Sequence, residues 1–190
     1  MGLPVYELVI EEGDHTGVTG VALVDRPAIQ LNWQAFNEQR PIKFQTFSEE
    51  ERIVSGPLMV ADLKIFRSDE RGEYLVYFAP ETIKKIVYKF FKNKYTGNVN
   101  PMHDSMLLLP GVFMCESFFI NSSRGINTPN GWDALQDGSW FGSLKVDNDE
   151  VWNEYVKTGK FTGFSVEGFF NEVPNLTESE LSMVSQIIFS

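Results

Sequence analysis

His103, Glu116 and Ser165 are the residues of this chain whose types suit acid–base and nucleophilic work. They lie in Asn100-Pro101-Met102-His103-Asp104, Val112-Phe113-Met114-Cys115-Glu116-Ser117 and Gly163-Phe164-Ser165-Val166-Glu167-Gly168. A hydroxyl, an imidazole and a carboxylate are the parts that turn an unreactive alcohol into a nucleophile for acyl transfer. The set points to a serine protease. Strand alternation puts Gly163, Ser165, Glu167 and Phe169 on one face and Phe164, Val166, Gly168 and Phe170 on the other. A small hydroxyl flanked by glycines leaves room for a substrate backbone. The pattern is Gly-x-Ser-x-x-Gly and runs on as strand, so it is not the nucleophile elbow of the α/β-hydrolases.

Each of these residues also has a plainer reading. A serine between glycines is common at strand edges, and Glu116 has Arg52, Arg67 and Lys145 as potential ion-pair partners inside a fold. Asp104, next to His103, is the alternative orienting acid. The second histidine, His15, sits in a polar turn and reads as a surface residue. Cys115 reads as an inert core thiol, and metal binding through His15 and His103 would require two distant loops to meet. No cofactor and no metal is expected.

A chain of 190 residues with 43% hydrophobic and 14% aromatic content, sixteen Phe among them, suits one well-packed domain over 1–190. A net charge of -10 disfavours nucleic acid and anionic membranes, which call for a basic footprint, and leaves proteins as the plausible partners. One cysteine excludes an intramolecular disulfide and fits a reducing compartment. No secretion signal and no apolar run of membrane-spanning length is present, so a soluble cytosolic protein is expected.

The elements that must position the three residues read as α+β, mainly β. Apolar and β-branched runs predict strands at 5–10, 18–24, 42–47, 53–60, 63–66 and 73–78, and residues 28–40 read as a loop. Ile83, Ile86, Val87, Phe90 and Phe91 fall at helical spacing behind Pro80 and predict a helix over 81–93. Its lysines read as a solvated face. Residues 112–120 look buried on both sides, 122–137 read as a long mobile loop, and 140–146 as a strand. Asp147 then reads as the N-cap of a helix ending at Gly159, followed by a strand over 161–170. Thr177 and Glu180 form a capping box before Leu181, Val184, Ile187 and Ile188, predicting an amphipathic helix within 175–190 that seals the core or docks a second subunit.

From 53 to 170 the chain resembles the tailed-phage prohead proteases, most closely the XkdF-like phage serine proteases. The matching pieces are Gly17 to Ile29, ahead of that stretch, and within it Met102-His103-Asp104, Cys115-Glu116-Ser117, Lys145 to Trp152, and Gly163 to Phe170. The resemblance implies a capsid-maturation endopeptidase with a herpesvirus-assemblin-like β-barrel, closed or nearly so, flanked by a few helices. It implies scaffold protein and major capsid protein as substrates, cut inside the prohead in the host cytoplasm, self-processing and a homo-oligomer. The family's base and nucleophile carry over to His103 and Ser165, and its acidic third member to Glu116. Backbone N–H groups at Val166, or around Arg124, would supply the oxyanion hole. Under the same resemblance, 175–190 is a processed end, a natural terminus or a dimer helix. Two other readings compete: a structural head protein that keeps the fold without the activity, and an esterase or acyl transferase acting on small molecules.

Overall fold

Short alternating runs fold into thirteen strands in the computed structural model, which describes residues 2–13, 15–26, 30–32, 39–41 and 43–175. In chain order they are β1 (Val5–Val9), β2 (Gly17–Val24), β3 (Gln30–Asn32), β4 (Gln39–Pro41), β5 (Gln45–Ser48), β6 (Ile53–Met59), β7 (Ile65–Asp69) and β8 (Gly72–Tyr77). After the helix α1 (Pro80–Lys92) come β9 (Val99–Pro101), β10 (Val112–Phe119), β11 (Trp140–Val146), β12 (Gly163–Phe169) and β13 (Asn171–Pro174). The protein is α+β and mainly β, with α1 starting at Pro80, one residue before the start predicted from the sequence.

Among the described residues the strands form separate sheets and no closed barrel, where the resemblance implied one closed or nearly so. Their orders are β13-β1-β8-β7, β10-β11-β6-β5 and β12-β2-β9, with a small β3-β4 pair inside the segment that reads as a loop. Closure fails where β12 passes β6. The partner β5 covers β6 only as far as Ser55, and beyond it Pro57 has no N–H to offer a further strand. Side chains pack across that seam instead, with Phe44 against Phe164 at 5.3 Å between ring centroids. A single backbone bond, from Phe44 N–H to Thr162 O at 2.9 Å, bridges it.

One core lies between the sheets and α1. Ile83, Ile86, Val87 and Phe90 line the buried face of the helix, and Phe90 meets Trp140 edge to face at 5.4 Å. Each such side chain contributes about 1.5–3 kcal/mol through its burial, which outweighs the helix's missing side-chain N-cap at Ala79. No helix among the described residues is long and apolar enough to cross a membrane.

Three local readings change. Strand β10 is an edge strand, half open to solvent with Phe113 exposed, and not a strand buried on both sides. Residues 122–137 are tied down: Asp137 accepts from Ser122, Trp132 Nε1–H donates to Lys43 O, and Gln45 Nε2 donates to Gly131 O. The segment Val151–Val156 is π-helical, with Lys157 N–H reaching back to Trp152 O, and its first turn is held by Asn148 Oδ1 accepting from Val151 N–H. The wider turn lets Val151, Trp152 and Val156 all be buried. The predicted helix within 175–190 lies outside the described residues, apart from Asn175.

Arg71 clamps the β7–β8 hairpin to β13. Its guanidinium meets Asp69 at 2.6 Å and Glu172 at 2.5 Å and lies 4.6 Å from the centre of the Tyr74 ring. Hydrogen bonds from Arg71 hold the Asp69 carboxyl down to about 2 from an ordinary 3.8 and push Glu172 down as well. A carboxyl depressed by folding stabilises the folded state above its ordinary pKa, and that stabilisation is lost as the pH falls through the depressed value. The thermal midpoint of the wild type should therefore exceed that of Arg71→Ala at neutral pH. Thermal melts should converge as the pH falls from 3.8 toward about 2. A constant gap would show that the clamp acts through packing alone.

Candidate active site

Strand β2 is the spine of the site. Ala22 pairs with Ser165 of β12 on one side and Asn100 of β9 on the other, and Gly20 pairs with Glu167. Ser165 and Glu167 thus stand on one face of β12, roughly 6.4–6.8 Å apart along the strand. Ser165 is buried at 3% exposure.

Directly after β9, Met102 N–H bonds Leu23 O, and then Met102 and His103 both adopt left-handed backbone, with φ of 51° and 65°. Neither is glycine, so the pair costs about 1–2 kcal/mol per residue. The reversal brings the imidazole back to β12. His103 Nδ1 lies 3.1 Å from Glu167 Oε1, and the other carboxylate oxygen, Oε2, accepts from Asn100 Nδ2 at 2.5 Å. Gly20 lets β9 approach closely: a Cβ there would fall 3.1 Å from Asn98 O, while its 3.5 Å to Glu167 Oε2 is ordinary contact. The His103 side chain is 49% exposed and that of Glu167 16%.

With Nδ1–H donated to a carboxylate, Nε2 is the nitrogen left to act as a base. No hydrogen bond joins His103 to Ser165 among the described residues. A resting enzyme often shows such slack. What the fold does bring together is an imidazole oriented by an acid and a buried hydroxyl two residues away from that acid on the same strand face.

The other residues singled out from the sequence lie elsewhere or are otherwise engaged. Glu116 is on β10, where Oε2 accepts from Ser143 Oγ at 2.5 Å; Ser143 in turn meets Ser55 Oγ at 2.8 Å. The alternative of an ion pair with Arg52, Arg67 or Lys145 is not seen among the described residues: Arg52 pairs with Asp149, Lys145 with Asp147, and Arg67 donates to Phe66 O. Asp104 Oδ1 accepts from Met106 N–H. Cys115 is exposed and not the core thiol expected from the sequence; it has no register partner at the bulge between Met114 and Glu116, its Sγ–H donates to Ser143 O at 3.4 Å, and partial desolvation with the Glu116 charge pushes its thiol above the ordinary value, so it is a poor nucleophile. His15 is exposed beside Phe169.

For the oxyanion donors, the N–H of Arg124 is already donated to Asn121. Val166 differs. Val21 N–H bonds Asn98 O, so the odd residues of β2 point their backbone groups at β9 and the even ones at β12. The Ala22–Ser165 pair therefore uses the Ser165 backbone, and the Val166 N–H turns away from β2, toward the open edge of β12.

Glu167 is the residue the sequence reading missed in this role. Its signal was present, because alternation puts it on the face of Ser165. Beside the His103 loop, Met102, Leu107, Leu109, Tyr155 and Phe161 line an apolar cleft of about 320 Å³. A second cavity of about 320 Å³ is lined by Leu8, Leu58, Val76, Ser165, Val166 and Phe170.

No curated protein and no solved structure matches the chain. Residues 42–173, which carry Asn100, His103, Glu116, Ser165 and Glu167, match the model of a family described as "Putative phage serine protease XkdF", and the chain belongs to that family.

Proposed function

We propose that the protein is a serine endopeptidase of phage head maturation that cuts scaffold and capsid-protein extensions inside the prohead. In this reading Ser165 Oγ attacks the peptide carbonyl and His103 Nε2 takes its proton. The acyl-enzyme forms on Ser165, and the amine leaves with the proton returned by His103. Water then attacks the acyl-enzyme, with His103 again as the base, and frees the acid product. Glu167 fixes the imidazole tautomer and balances the imidazolium, the role that the family resemblance carried to Glu116. The outward-facing N–H of Val166 donates to the oxyanion. Scaffold and major capsid protein as substrates, and action as an assembled homo-oligomer, belong to the same proposal and rest on family membership.

The observation that carries the reading is the His103–Glu167 contact at 3.1 Å, anchored two residues from Ser165. A fluorophosphonate probe is expected to label the protein at one serine, traced by peptide mapping to Ser165, and His103→Ala should suppress that labelling. Labelling elsewhere, or none in assembled proheads, would favour a structural head protein that keeps the fold. Turnover of small esters with no peptide cleavage would favour the esterase reading.

A further inference from the structure

We infer that Asn100 is a positioning residue for the imidazole, acting through Glu167; this rests on the serine-endopeptidase reading above. Asn100 is on β9, 2% exposed, in the row Ser165–Ala22–Asn100. Its Nδ2 donates to Glu167 Oε2 at 2.5 Å, while Glu167 Oε1 faces His103 Nδ1. A carboxylate with one oxygen held in this way can offer the other in only one direction. The bond to the carboxylate also fixes which end of the amide is nitrogen, because only Nδ2 can donate.

The other end of the same amide shows that the residue is not there to fill space. Among the described residues, Asn100 Oδ1 is the buried side-chain polar atom with no hydrogen-bond partner. A buried lone pair without a donor weakens a fold. A branched apolar residue at the centre of a short strand would avoid that loss and suit the strand better. The fold therefore tolerates a poor core residue at the one point from which Glu167 can be gripped from behind.

The test is Asn100→Val, with Asn100→Leu as a second variant of nearly native shape that lacks the donor. Asn100→Val should fold with a thermal midpoint near that of the wild type, because removal of the orphan Oδ1 offsets the donor taken from Glu167 Oε2. Its kcat on a scaffold-derived peptide should fall between ~10-fold and ~100-fold, as expected for a displaced catalytic group, with KM little changed. Asn100→Leu should lose as much kcat. In a Glu167→Ala background, Asn100→Val should cost nothing further. A direct readout uses the ¹⁵N spectrum of the neutral His103 ring, recorded in Ser165→Ala so that no turnover is needed: the Nδ1–H tautomer should dominate, and Asn100→Val should mix the two tautomers. Wild-type kcat in both variants, an unchanged tautomer, or an equal kcat loss with and without Glu167 would overturn the assignment of Asn100 alone. Peptide cleavage surviving in Ser165→Ala would overturn the parent reading and this one with it.

Discussion

Ser165→Ala is expected to stop peptide cleavage while leaving the fold intact. Loss of the nucleophile in a Ser-His-Asp enzyme lowers kcat by roughly 10⁶-fold, with residual rate only from binding and oxyanion stabilisation. The exchange removes one oxygen from a side chain that is 3% exposed and keeps the β-carbon that packs beside Ala22. Its effect on stability should stay within about 1 kcal/mol, so a thermal melt and a cleavage assay on the same preparation separate chemistry from folding. Cleavage within tenfold of the wild type would mean that the hydroxyl is not the attacking group.

The second large effect distinguishes two acids. Glu167→Gln keeps the shape of the side chain and an oxygen for Asn100 but removes the charge facing His103 Nδ1. The corresponding acid-to-amide change in the Ser-His-Asp template costs ~10⁴ in kcat. The His103 side chain is 49% exposed, and solvent screening of the pair should moderate the loss, to between ~10² and ~10⁴. Glu116→Gln should change kcat by no more than a few fold, because that carboxylate is hydrogen-bonded to Ser143 in a different sheet. Steady-state kinetics on one peptide settle the order. A larger loss at 116 than at 167 would return the orienting role to Glu116.

Much of the frame was legible in the chain because local rules act there. Pro80 followed by Ile83, Ile86, Val87 and Phe90 leaves little choice but a helix with one buried side. The alternation from Gly163 to Phe169 is that of a strand, and it correctly pairs the orientation of Ser165 with that of Glu167. What escaped depends on the backbone between elements. Nothing about Met102 or His103 as residue types announces left-handed geometry, yet that reversal decides which carboxylate the imidazole meets. Sixty-four positions in sequence separate the partners. Glu116 drew attention because it interrupts an apolar run, yet it is exposed on an edge strand; its partner is a hydroxyl on the neighbouring strand, reached after a bulge at Cys115 that alternation does not foresee. The barrel failed to close for a similar reason, since strands can be read from periodicity but the seam beside Pro57 depends on which edges meet.

Gly168, just past the bulge on β12, sits so near β2 that a methyl group there would fall 2.1 Å from Gly17 O and 2.9 Å from Val18 Cα. Only hydrogen fits in that gap. The strand bearing the alcohol is thereby bolted to the spine, unable to slide or lift without tearing its ladder, whereas the imidazole rides on a half-exposed reversal outside any sheet. In the proposed enzyme, any change in the spacing of imidazole and alcohol is therefore made at the half-exposed reversal, with Ser165 as the fixed point.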